Sequence, residues 1–369
     1  MSKHSVSRRS FIQAAGSLPA VAALPVREPV VSEPYPVSQP AVSTQPIRIV
    51  TQHRFAPAEV EQIKSAGGEV PVDLVICDDA ERFLQELGKA EVAFGRDRGT
   101  ELSRAPQLKW IQNSAAGVEF LIEDKELRES PVVLTNNART FAPGIAETAM
   151  GLLLCLTRGI TRYYMPQFYE RKLDRVGNPG SADHIELAGK TMGIVGMGGI
   201  GSSLARRAHF GFDMRVVGTD AKPLPKPAYV AELHDPTWFP SMVSEVDVLV
   251  CAAPLTPDTH VMFNESVFRA MKPTAYFLGL SRGDLFDDLA LVRALKEGWI
   301  AGAGLDVFPV EPPPSDHPIY DCRNVVMTPH TSGWSPDRQV RFIALFAENV
   351  RRYAHGLPLL NVVDKQRMF

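Results

Sequence analysis

The sequence predicts an α/β protein of two doubly wound parallel-sheet domains. From Ile47 onward, short apolar runs alternate with helical patterns, as strands joined by covering helices do. The alternation falls into two series separated by an apolar stretch, and 369 residues suffice for two domains with a core each. With 45% hydrophobic and 22% charged residues the composition excludes a disordered chain, and only 4 cysteines exclude a disulfide-built scaffold. A formal charge of −3 offers no electrostatic reason to expect nucleic acid.

Residues 1–46 are read separately, because seven of the 30 prolines fall there. Lys3, Arg8 and Arg9 precede a mild apolar run at 14–24, and Ala20-Val21-Ala22 supplies a small-residue site. A basic head, a short apolar stretch and small residues in that order have the layout of an export signal. The adjacent arginines look like its twin-arginine type, read by the twin-arginine export machinery. The run is too short for an ordinary membrane span. The expectation is a signal at 1–24 that addresses the protein to the periplasm. If the arginine pair is incidental, the alternative is a cytoplasmic protein. Residues 25–46, with Pro, Ser and Val interleaved, read as an extended linker.

The first series places strands at 47–51, 74–77, 92–94, 108–112 and 132–135, with helices at 57–66 and 80–87. A proline suited to a first helical turn then opens a helix at 143–156. From Ala149 to Leu156 that helix is apolar all round, so it belongs between domains or subunits. The second series places strands at 192–195, 214–218, 246–252, 275–280, 302–307 and 325–328, with a helix at 289–296. A last helix is expected at 336–353. The simplest assembly is one domain in two pieces, 47–142 and 335–369, enclosing a second at 143–334, with hinges near 142 and 335. Cys77, Cys155, Cys251 and Cys322 form no CxxC pair and read as buried thiols.

Gly196, Gly198 and Gly201 make a Gly-x-Gly-x-x-Gly between the strand at 192–195 and a helix, with Gly199 and Ile200 inside the motif. Gly196 permits the tight turn, Gly198 lets a diphosphate approach the backbone, and Gly201 lets helix and strand pack closely. The helix N-terminus adds unpaired N–H groups for phosphate. Asp220 ends the next strand, where a carboxylate can accept from ribose hydroxyls and repel a 2′-phosphate. Residues 143–334 therefore read as a Rossmann-like domain that takes NAD in preference to NADP, with Lys222 as the counter-argument.

Four further stretches follow in order. They are Ala253-Pro254-Leu255-Thr256-Pro257-Asp258-Thr259 after the apolar run from Asp247, then Ser281-Arg282-Gly283. Next come Gly304-Leu305-Asp306-Val307-Phe308-Pro309-Val310-Glu311-Pro312 and Thr328-Pro329-His330. Together with the glycine loop they resemble the D-isomer-specific 2-hydroxyacid dehydrogenases, and the likeness extends more weakly to 108–119 and 142–156. The resemblance implies two Rossmann-like domains, the discontinuous one binding substrate. It implies an NAD-dependent oxidoreductase that interconverts a 2-oxo acid and an (R)-2-hydroxy acid, without a metal. It makes Arg282 the substrate-binding arginine, His330 the acid/base and Glu311 its partner. It sets Pro254, Thr259, Leu280, Arg282, Asp306 and His330 along the cofactor with the glycine loop and Asp220. The backbone of Ala116, Gly117 and Val118 is set on the substrate carboxylate. A homodimer is implied too, through 143–156 and the arm that follows.

The residue types suit that chemistry. A planar guanidinium can grip a carboxylate with parallel hydrogen bonds, and a hydride delivered to carbon must be matched by a proton on oxygen from a group that titrates near neutrality. Three positions depart from the family pattern: Gly279 where asparagine is common, Glu119 for the usual aspartate, and Arg139 where glycine is common. The alternative from another class is a non-catalytic NAD(H)-sensing protein of the same fold. Retention of Arg282, Glu311 and His330 argues against it, since binding alone needs no acid/base.

Overall fold

The computed structural model describes residues 46–95, 102–175 and 184–369. The export signal expected at 1–24, and the linker expected at 25–46 but for its last residue, lie outside them. Twelve strands among the described residues form two sheets, each parallel throughout.

The first sheet is built from β1 (Ile47–Thr51), α1 (Pro57–Ser65), β2 (Val72–Ile76), α2 (Ala80–Leu87), β3 (Val92–Phe94), β4 (Trp110–Gln112), α3 (Lys125–Glu129) and β5 (Val133–Thr135). Its order is β2-β1-β3-β4-β5. β3 and β4 are buried at every position, as continuous apolar runs must be when helices cover both faces. Pro57 opens α1 at the position where a missing N–H costs nothing, and the Asp79 carboxylate caps α2 by accepting from Arg82 N–H.

The chain then crosses through α4 (Ala142–Thr157) and α5 (Met165–Tyr169) into the second sheet. This comprises β6 (Thr191–Val195), α6 (Gly199–Phe212), β7 (Arg215–Thr219), β8 (Glu232–His234), α7 (Phe239–Glu245), β9 (Val248–Cys251), α8 (Glu265–Ala270), β10 (Tyr276–Gly279), α9 (Asp288–Glu297), β11 (Gly302–Leu305) and β12 (Val325–Met327). Its order is β12-β11-β10-β9-β6-β7-β8, which reverses direction between β6 and β9. Sheets of this kind place ligands outside the carboxyl ends of their strands, at such a reversal. The apolar α4 buries Ala146, Ala149, Met150 and Leu153 in one cluster with Ile194, Leu204, Val250 and Leu278 of this sheet and α6.

α10 (Pro336–Ala354) returns to the first sheet. Phe342, Ile343, Phe346, Val350 and Tyr353 pack with Ile47, Ile49, Phe94 and Trp110, each such side chain contributing about 1.5–3 kcal/mol by burial. Buried Asn349 adds polar specificity: its amide donates to Gln112 Oε1 (3.1 Å) and its oxygen accepts from Leu360 N–H (2.7 Å). The two crossovers lie against each other, with Arg341 Nε donating to the Thr140 carbonyl at 2.9 Å.

β8 has no counterpart in the sequence reading. Glu232-Leu233-His234 is a short strand at the sheet edge, partly exposed throughout, and so carries no apolar signal. All four cysteines are free, and burial pushes the Cys251 thiol up to about 12.

Candidate active site

The glycine loop leaves β6 with Gly196 in the left-handed region (φ 93°), and α6 starts at Gly199. A Cβ on Gly196 would meet the Ala252 carbonyl oxygen at 2.7 Å, and one on Gly201 would meet the Gly196 carbonyl oxygen at 2.1 Å. At Gly198 the added atom would meet nothing within 4 Å. The first two glycines are thus demanded by backbone packing, whereas Gly198 faces open space in front of the α6 N-terminus. A dinucleotide diphosphate fits there, with the N–H groups of Gly199, Ile200 and Gly201 turned toward it.

Asp220 follows β7, which pairs with β6 in register Val195 to Thr219. Its Oδ2 accepts from Met197 N–H (2.7 Å) and its Oδ1 from Lys222 N–H (2.8 Å), so the carboxylate braces the glycine loop. Burial pushes its pKa up, opposed by those two amides. After β9, Thr259 Oγ1 donates to the Pro254 carbonyl at 2.7 Å and closes that loop. Leu280 is buried after β10, its N–H spent on the Cys251 carbonyl.

Arg282, Asp306 and His330 follow β10, β11 and β12, three neighbouring strands. His330 Nδ1 and Glu311 Oε2 are 2.7 Å apart, while Glu311 Oε1 accepts from Phe308 N–H at 3.0 Å. A carboxylate on Nδ1 fixes the ring and leaves Nε2 for a ligand. His330 itself sits at φ 55°. That conformation is imposed by wholly buried Asp306, which accepts from Thr328 Oγ1 (2.7 Å), Thr331 N–H (3.0 Å), Ser332 N–H (3.2 Å) and Ser332 Oγ. Its backbone carbonyl takes His330 N–H at 2.8 Å. Asp306, set along the cofactor by resemblance, is in the structure the anchor of the His330 loop.

Arg282 reaches the first domain. Its Nε donates to Glu119 Oε1 (3.0 Å) and Nη1 to the Ser281 carbonyl (2.6 Å). Nη2 lies over Gly117, where an added Cβ would stand 2.0 Å away. Around it the Gly117 carbonyl is held by Asn113 Nδ2 (2.8 Å) and the Ala116 carbonyl by Asn136 Nδ2 (2.7 Å). The N–H groups of Ala116, Gly117 and Val118 have no acceptor among the described residues. Carbonyls tied back and amides left open make an anion nest, and Arg282 closes over it. Asn113 and Asn136 were not singled out in the sequence; asparagines after β4 and β5 were the available signal.

A dinucleotide loop at the sheet's reversal, a carboxylate-held imidazole and an arginine-capped anion nest together define a nucleotide-dependent oxidoreductase. A family model described as D-isomer specific 2-hydroxyacid dehydrogenase, NAD binding domain, matches residues 150–332. A glyoxylate reductase of Korarchaeum cryptofilum is 35% identical over 266 residues, 71% of this chain and 78% of its own. One from Pyrococcus furiosus is 34% identical over 333 residues, covering 87% and 89%. Among solved structures, an NADPH-dependent glyoxylate/hydroxypyruvate reductase of Sinorhizobium meliloti, in complex with NADP and sulfate, superposes with TM-score 0.72. It is 27% identical and covers 87% of this chain and 99% of its own. The chain belongs to the D-isomer specific 2-hydroxyacid dehydrogenase family, whose members here mark it as an oxidoreductase of 2-oxo and 2-hydroxy acids.

Proposed function

We propose that the protein reduces a small 2-oxo acid such as glyoxylate to its 2-hydroxy acid, and runs the reverse reaction on (R)-2-hydroxy acids. The observation that carries this is the His330–Glu311 pair, together with the nest that Arg282 closes over, His330 and Arg282 following strands of the same sheet edge. A nicotinamide dinucleotide held by its diphosphate at the glycine loop would supply the hydride for C2 in reduction and accept it in oxidation. Arg282 and the amides of Ala116, Gly117 and Val118 hold the substrate carboxylate. In reduction, His330 gives the proton on Nε2 to the carbonyl oxygen as C2 gains its hydrogen. In oxidation, the neutral ring takes the hydroxyl proton there, and Glu311 steadies the resulting charge.

NAD is the preferred cofactor on this reading, because Asp220 stands where a 2′-phosphate would meet a carboxylate. NADP remains the rival, supported by Lys222 and by the NADP in the Sinorhizobium relative. Pro254, Thr259 and Leu280 would line the nicotinamide half. The test is loss of reduced-cofactor absorbance with glyoxylate and hydroxypyruvate, using NADH and NADPH side by side. His330→Ala is expected to lower kcat by about 10²–10⁴-fold. Equal rates for wild type and variant would remove His330 from the chemistry.

Exposed Phe168 (65%), Tyr169 (74%) and Leu173 (73%), in the arm after α4, favour a homodimer; light scattering reads the molar mass directly, and a monomer mass would count against it. The twin-arginine signal at 1–24 would export the folded protein to the periplasm. A reporter fused after residue 46 and found only in the cytoplasm would end that part of the proposal.

A further inference from the structure

Arg139 lies in the crossover between β5 and α4, just before the helix that leads into the second sheet. Its backbone is in the left-handed region (φ 74°), which side chains seldom adopt, and it is pressed onto the glycine loop. A Cβ added at Gly199 would lie 2.8 Å from Arg139 Cγ and 3.0 Å from its Cα. The first residue of α6 is therefore glycine because Arg139 stands over it. A glycine at 139 would suit both the φ and the crowding, so the arginine is there in spite of its backbone.

The guanidinium has no acidic partner and no hydrogen-bond acceptor among the described residues, and it is only partly exposed. Burial pulls its pKa down, opposed by Tyr229 in the loop after Asp220. Burial also pulls the Lys222 pKa down, opposed by Asp220 and Asp364, with Arg139 adding to the lowering. Asp220, on the Lys222 side, already accepts two backbone N–H groups, and no carboxylate acts on Arg139 among the described residues. The Arg139 guanidinium thus belongs to a side chain pressed onto the α6 N-terminus beside Gly198, where space is open. The partly buried charge of Arg139, without an acidic partner among the described residues, is unfavourable, and an anion of charge about −2 would relieve it.

We infer that Arg139 is a binding residue for the dinucleotide's diphosphate, supplied by the first domain to a site otherwise built by the second. This rests on the dinucleotide reading proposed above. It also adds a consequence: the bound cofactor bridges the two domains. The cofactor then spans the cleft across which Arg282 already closes over the substrate nest.

Titration calorimetry with NADH and with ADP-ribose, which shares the diphosphate and lacks the nicotinamide, tests the assignment. Arg139→Met keeps the stem on Gly199 and removes the charge, while Arg139→Lys keeps a charge. Arg139→Met is expected to weaken both ligands about tenfold or more, by equal factors, with Arg139→Lys lying between it and wild type. Wild-type affinity in Arg139→Met overturns the inference. So does a loss confined to NADH, which would put the guanidinium on the nicotinamide side, or equal losses in Met and Lys variants, which would make the effect one of shape. If the wild type binds neither NADH, NADPH nor ADP-ribose, it is the dinucleotide reading itself that fails.

Discussion

His330 holds its unusual backbone conformation because one buried carboxylate, Asp306, accepts from three residues of the loop that carries it. Asp306→Asn keeps the shape but replaces an oxygen acceptor with an NH₂ donor facing N–H and O–H groups. The expected loss is about 2–4 kcal/mol in urea unfolding, in the range for breaking a buried charged network. A variant as stable as wild type would mean that the loop is held by its backbone alone. Gly117 makes the complementary case at the substrate end. A Cβ there would strike Arg282 Nη2 at 2.0 Å, so Gly117→Ala must turn the guanidinium off the nest. The Michaelis constant for the 2-oxo acid should rise about tenfold or more, as expected when a charged hydrogen bond is misplaced. NADH affinity should hold, and a change in NADH affinity without one in KM would contradict the assignment of Gly117.

At the scale of elements, the strand–loop–helix unit β6–α6 depends on close approach. Gly201→Ala would set a methyl 2.1 Å from the Gly196 carbonyl oxygen, which is backbone and cannot swing away. The helix must move off the strand, with an expected cost of about 1–3 kcal/mol in urea and weaker NADH binding by calorimetry. Unchanged stability and affinity would show that the glycine is there for another reason. This unit was legible in the sequence because three glycines at fixed spacing have distinct steric duties and the apolar run before them marks the strand. β8 was not legible: Glu232-Leu233-His234 is an edge strand whose partner, β7, is known only from the fold. The role of Asp306 was hidden for a related reason. Thr328, Thr331 and Ser332 come 22 to 26 residues later, and a hydrogen-bonded loop leaves no periodic trace in composition. Arg139 was visible as a departure from a family pattern, but its contact with Gly199 required coordinates.

For the molecule as a whole, the junction between early and late chain is an aromatic cluster at the end of β1. His53 packs at 4.7 Å from Phe55, 5.5 Å from Phe94 and 5.7 Å from Phe342 of α10. Burial pulls its pKa down, aided by Arg338 and opposed by Glu59. A histidine whose folded pKa lies below its unfolded value binds more protons when unfolded, so stability falls as pH drops from about 6.5 through the folded value. Urea midpoints at pH 7 and pH 5 should therefore diverge more in wild type than in His53→Phe. Equal divergence would place the acid sensitivity elsewhere.

The return of α10 to the first sheet also sets an order of assembly. Gln112 and Asn349, which share a buried hydrogen bond, are 237 residues apart. During translation β1 through β5 leave the ribosome early, yet one wall of their core is made only after the second domain has been synthesised. The second sheet is built from a continuous stretch of sequence, so the part made first is finished last. Domains ordinarily mature from the N-terminus onward, and here that order is inverted. Until α10 arrives, Ile47, Ile49, Phe94 and Trp110 lack their cover, so the nascent chain is most exposed to aggregation in its earliest strands.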